Sequence, residues 1–177
     1  MLTCTSGEGA GFFDQTVVLL LDCDDAGALG VVLNKASATD LEQVLPSWVP
    51  LVNPPRVLFA GGPVSPNGAI CLARLANPRE EPPGWRRIVG AIGLLHLDTP
   101  VELAAGAFAD LRVYAGYSAW EPGQLEDELM RGLWVRSVAR DEDIFGTDLD
   151  GLWRRVLRRQ GGVVAMLSTW AEEPELN

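Results

Sequence analysis

Between Thr16 and Asn34 two apolar runs stand almost back to back, TVVLLLDC and ALGVVLN, with DDAG between them. The first is β-branched and continuously apolar, the pattern of a strand covered on both faces. The acidic, glycine-containing interval has turn chemistry, so the pair predicts a hairpin. Strand signals then recur in RVLFAGG, GAICLARL, LRVYAGYSA, GLWVRSVA and VVAMLSTW, and RRIVGAIGLLHLD reads as one or two strands with a bulge or bend. GGPVSPNG and NPREEPPG read as loops. No regular crossover helices separate these strands. The pattern therefore predicts an α+β chain with a mixed, largely antiparallel sheet rather than a doubly wound parallel one.

Helices are fewer and short. TDLEQVL opens with a capping box, Thr39 accepting from the backbone near Glu42 and Glu42 reaching back. Pro46, Pro50, Pro54 and Pro55 then predict an exposed, irregular connection. TPVELAAGAF repeats the capping logic, with Pro100 at the first helical position and Glu102 as the reaching acid. TDLDGLWRRVLRRQGG carries the clearest helical period: Leu149, Leu152, Trp153, Val156 and Leu157 share one face. Thr147 and Asp150 offer its capping box and Gly161 its stop. Arg154, Arg155, Arg158 and Arg159 complement the C-terminal dipole, and a solvated face is the first reading of them.

The 177 residues suit a single domain over residues 1–177. The formal net charge of −10 opposes phosphate backbones, so sequence-specific binding to nucleic acid is not expected. Cys4, Cys23 and Cys71 are scattered without a C-x-x-C, which fits neither a zinc site nor a disulfide framework and suits a reducing cytoplasm. His96 is the single histidine, so no metal site is expected. The longest strongly apolar run, Val17 to Leu21, is far too short to span a bilayer, and no membrane association is expected. No P-loop, G-x-G-x-x-G or G-x-S-x-G is present, and no cofactor is expected.

The stretch GYSAWEPGQLEDEL, Gly116 to Leu129, joins a strand to a helix. Pro122 suits a first helical turn, Glu126, Asp127 and Glu128 suit its dipole, and Leu125, Leu129 and Leu133 give an apolar stripe. Gly116, Tyr117, Trp120 and Gln124 are less easily explained this way. Two readings stand for them, a packed corner and a pocket wall, with Trp120 expected half-buried between the two.

These motifs resemble the YqgE/AlgH family of bacterial proteins. TVVLLLDCDDAGALGVVLNK is similar to its first strand pair, AGGPV to its Gly-Gly-Pro turn and GYSAWEPGQLEDEL to its strongest signature; LWV, DIF and LWRRVL follow in the family's order. Ala36 stands where the family commonly has proline. The resemblance implies an α+β fold, with a strongly bent, bifurcated mixed sheet forming a pseudo-barrel flanked by helices. It implies no established activity. One member was named for regulation of alginate synthesis, but no DNA-reading motif comes with the resemblance.

The candidate pocket comprises Asn34, Lys35, Gly61, Gly62, Pro63, Gly116, Tyr117, Trp120, Gly123, Gln124 and Glu126, strand ends where special backbone chemistry concentrates. Two functions follow. One is a non-catalytic module that binds a small molecule or a protein partner. The other is a metal-independent enzyme acting on a small anionic substrate near Asn34, Lys35, Gln124 and Glu126, with Lys35 holding the anion and a carboxylate as base.

Overall fold

A computed structural model describes residues 1–5 and 11–169. The chain divides into two compact units, Met1–Asn34 with Ala119–Asn177, and Lys35–Ser118. The first unit begins with strand β1 (Leu2–Cys4), followed by β2 (Val17–Asp24) and β3 (Gly27–Val32). β2 and β3 form the expected antiparallel hairpin, with a register shift between Leu20 and Asp22. Val17, Val18 and Leu19 are all buried on β2, as a continuously apolar strand requires.

The second unit contains β4 (Ala36–Asp40), helix α1 (Leu41–Val44), β5 (Val57–Ala60), β6 (Val64–Leu75), β7 (Trp85–Val89), β8 (Ile92–Leu95), helix α2 (Val101–Ala104) and the long β9 (Phe108–Trp120), whose last two residues belong to the first unit. β6 pairs antiparallel with both β8 and β9, and β7 with β8. β5 pairs parallel with β9, Phe59 opposite Tyr114, and antiparallel with β4. The sheet is therefore mixed and branches at β9, which pairs with both β6 and β5. Its core gathers Leu41, Trp48, Val52, Cys71, Leu95, Leu111 and Val113.

Several expectations are corrected here. Thr39 lies in β4, and the cap of α1 is Asp40, whose carboxylate accepts from the Glu42 N–H. Asp40 is the last residue of β4 and its extended backbone suits an N-cap, whereas Thr39 stands one residue too far from the helix. The proline-rich connection is not simply exposed: Trp48 and Val52, 4% and 3% accessible, plug the core between its prolines. The interval before GAICLARL is partly strand, because β6 starts at Val64 and is bulged before Ala69. Pro100 is the N-cap of α2 rather than its first residue, and no side chain caps that helix.

The first unit resumes with α3 (Gln124–Met130), β10 (Trp134–Arg136), α4 (Asp141–Phe145), α5 (Leu152–Gln160) and α6 (Gly162–Leu167). β1 lies between β10 and β2, antiparallel to both, so the N-terminal segment supplies a strand. α5 buries Leu152, Trp153, Val156 and Leu157 of the predicted stripe, worth about 1.5–3 kcal/mol for each aliphatic side chain, while Leu149 precedes the helix. The Trp153 indole N–H donates to the Cys4 carbonyl at 2.7 Å and ties α5 to β1.

Thr147 and Asp150 do not cap α5, which begins after Gly151; Asp148 instead accepts from the Gly151 N–H and fixes the preceding turn. The arginines are not all solvated. Arg159 grips both oxygens of the buried Asp143 at 3.2 and 2.7 Å, while Asp143 also accepts from the Arg140 N–H to cap α4. The expected last strand is helical over its described part: α6 covers Gly162–Leu167, and Trp170 lies outside the described residues. β-branched residues favour strands only where a sheet partner and a covering layer exist. Val163 and Met166 on α6 instead remain 79% and 69% accessible.

Candidate functional site

The predicted site residues fall into two groups, one in each unit. In the second unit the Lys35 carbonyl accepts from the Ala60 N–H at 2.8 Å, beside Gly61. The Gly61 N–H donates to the Ala115 carbonyl at 2.8 Å, and the Ser118 hydroxyl to the Gly61 carbonyl at 3.2 Å. A Cβ on Gly62 would strike the Tyr117 backbone, and one on Gly116, at φ +68°, the Gly62 carbonyl. The structure thus brings the Gly-Gly turn and Gly116-Tyr117 together as a close crossing of two backbones, which only glycine permits. Pro63 sits exposed beside it.

Asn34, Trp120, Gly123, Gln124 and Glu126 belong to the first unit. Asn34 is committed to the fold: its Oδ1 accepts from the Val17 N–H at 3.0 Å and its Nδ2 donates to the Gln15 carbonyl at 2.9 Å. Gly123, at φ +79°, is the N-cap of α3, so Pro122 precedes the helix instead of opening it. Gln124 accepts from the Glu121 N–H at 3.0 Å and donates to Glu128 at 2.9 Å. Glu126 is exposed in the first turn of α3.

Trp120 is not half-buried. It is 6% accessible and packs with Leu2, Val18, Ala28, Val32, Leu125 and Trp134. Its ring meets Trp134 edge-on at 5.8 Å and Phe13 at 6.4 Å. The residue that organises this corner is Glu128, which the sequence reading assigned to the helix dipole. Its Oε2 accepts from the indole N–H of Trp120 at 2.9 Å and of Trp134 at 2.7 Å, and its Oε1 from Gln124. Partial burial pushes the carboxyl up, but the hydrogen bonds from Trp134, Gln124 and Trp120, with the Arg131 charge, outweigh it and hold its pKa below the ordinary value. The available signal was the i, i+4 spacing of Gln124 and Glu128.

Along the outside of this corner runs a groove of about 690 Å³, lined by Asp22, Asp24, Ala26 to Leu29 and Ala119 to Pro122 with Gln124. The hairpin and the β9–α3 junction both contribute to its lining. Gly27, at φ +127°, lies so close to the Trp120 carbonyl that a side chain there would collide with it. Leu29 is 42% accessible, and Asp22, Asp24 and Glu121 are exposed. Of the predicted pocket residues, Trp120 and Gln124 line this groove. Asp22 and Asp24 were missed, having been read as part of a strand and as turn chemistry.

Reactive groups elsewhere are muted. Burial pushes the Cys71 thiol up to about 12, so it stays protonated near neutrality. Among the described residues no group of three or more His, Cys, Asp or Glu side chains is arranged to hold a metal ion, and no helix is long and apolar enough to cross a membrane.

Comparison with known proteins places this geometry. A UPF0301 protein of Streptomyces avermitilis is 46% identical over 93% of this chain and 87% of its own, and one from Thermobifida fusca is 39% identical over 96% and 89%. The crystal structure of a Corynebacterium diphtheriae protein superposes with a TM-score of 0.87 at 26% identity, covering 96% of this chain and 90% of that one. The solution structure of AlgH from Pseudomonas aeruginosa shares the fold, with a TM-score of 0.71 at 24% identity over 97% and 93%. The family model described as AlgH-like matches residues 2–165, across both units, and the chain belongs to that family.

Proposed function

We propose that this protein is a non-catalytic binding module and that its site is the groove of the first unit. The observation that carries the reading is the groove itself. Its volume of about 690 Å³ lies within the ordinary range of ligand sites, and its floor is built on rigid elements, a hairpin and a tryptophan locked by Glu128. Its acids stand beside apolar surface, and no nucleophile–base pair lines it. The enzyme reading has less support, because the amides of Asn34 and Gln124 already serve internal hydrogen bonds.

The test is a titration of the ¹⁵N-labelled full chain with a fragment library, followed by amide shifts. Shifts concentrated at residues 22–29 and 119–124 are the expected result. Binding that maps consistently to the second unit would overturn the assignment.

A further inference from the structure

Resting on the groove reading, we infer that the occupant is a basic segment of a partner protein, presenting arginine or lysine side chains. The charged residues lining the groove, Asp22, Asp24 and Glu121, are all acidic. Two of them are held in place. Asp24 Oδ1 accepts from the Ala26 N–H at 2.8 Å and Asp22 Oδ1 from the Cys23 N–H at 3.0 Å, which leaves each Oδ2 to meet a cation. Glu121 enters the lining from the β9–α3 junction, its backbone N–H held by Gln124.

The rest of the lining is mostly apolar, with exposed Ala26, Leu29, Ala119 and Pro122 over the nearly buried Ala28 and Trp120. Carboxylates beside apolar surface match a side chain with an alkyl stem and a charged head. The net charge of −10 adds long-range attraction for a basic partner.

The groove's openness decides between a free cation and a peptide. Asp22, Asp24, Glu121, Pro122 and Gln124 are all exposed, so a small molecule leaves much of its surface in water here and binds only weakly, as a fragment does. A peptide can lay successive cationic stems along such a trough and extend past both ends. Preorganised carboxylates lower the ordering cost of its binding.

The test uses the full chain and an N-acetyl tetrapeptide amide with arginine at both ends and leucine-alanine between. Its glutamine counterpart and spermidine serve as competing probes. Titration is made at about 150 mM salt, where distant charges are largely screened. The arginine peptide is expected to bind the parent protein, and the pair Asp24→Asn with Glu121→Gln to weaken it about tenfold, as loss of charge-assisted hydrogen bonds implies. The pair Asp98→Asn with Glu102→Gln removes the same charge from the second unit and should change affinity less than about twofold. Spermidine should bind about tenfold more weakly than the peptide.

Equal weakening by the two variant pairs would reduce the effect to bulk charge and overturn the inference. Spermidine binding as tightly as the peptide would overturn the peptide source. If the glutamine peptide binds equally well and Ala26→Trp blocks it, the groove remains a site and the basic partner falls. If no probe binds and the fragment titration leaves residues 22–29 and 119–124 unshifted, both readings fall.

Discussion

Each unit holds a charged group among aromatic rings, and the two do so by opposite means. In the first, the Glu128 carboxylate is only partly buried and is held by directional donors, the Trp120 and Trp134 indoles and the Gln124 amide. In the second, Arg112 is wholly buried, its guanidinium 4.5 Å over the Phe59 ring and beside Tyr114, with one N–H reaching the Pro54 carbonyl at 3.4 Å. Burial lowers the pKa of Arg112, partly offset by Tyr114 and Asp110, and raises that of Tyr114. An anion can be held by a few well-aimed N–H groups. A delocalised cation tolerates burial through a ring face and diffuse contacts. The carboxylate is therefore held chiefly by aimed donors, whereas burial against a ring face dominates the surroundings of the guanidinium.

That contrast can be broken by mutation. Trp120→Ala should cost the most, about 3–5 kcal/mol in chemical unfolding, through lost burial and the cavity left behind. A cost under about 1 kcal/mol would show that the corner is not a core. Glu128→Ala should cost about 2 kcal/mol, because two indole N–H groups lose their acceptor while partial solvent access softens the penalty. Arg112→Met, which replaces buried charge by apolar volume, should stay within about 1 kcal/mol of the parent. If Arg112→Met proves costlier than Glu128→Ala, the polar contacts of the guanidinium outweigh its burial and the contrast between the two units fails.

The smallest effect is acid sensitivity. The folded-state pKa of Glu128 is depressed, so its contribution is fully present above the unfolded value of about 4.3 and is lost as pH falls through the folded pKa. The stability advantage of the parent over Glu128→Gln should accordingly shrink as pH is lowered below about 4, with the loss visible in tryptophan fluorescence. An advantage that grows on acidification would contradict the direction of the shift.

Much of the local architecture was legible from short-range pattern. The β2–β3 hairpin, the stripe of α5, its stop at Gly161 and the strand–helix junction around Trp120 all follow from periodicity and turn chemistry. Helix caps were read less well: the local pattern points to Thr39 as the acceptor, but α1 begins one residue later, after Asp40 at the end of β4, and only the strand's register fixes that position. The α6 segment shows the same limit from the other side. Its residues favour a strand, but strand formation needs a partner edge that the segment itself does not contain.

The candidate site divided in the same way. Sequence alone identified the Gly-Gly turn and Gly116 as places of special backbone, since glycine clusters mark close approach whatever lies opposite. It also determined the acidic balance and the family signature. Only the tertiary structure decided that Gly62 and Gly116 meet each other, that Glu128 joins Trp120 to Trp134, and that Asp22, Asp24 and Glu121 line one groove. Those facts depend on residues from roughly six to a hundred positions apart in the chain, and no local period or propensity encodes which of them become neighbours.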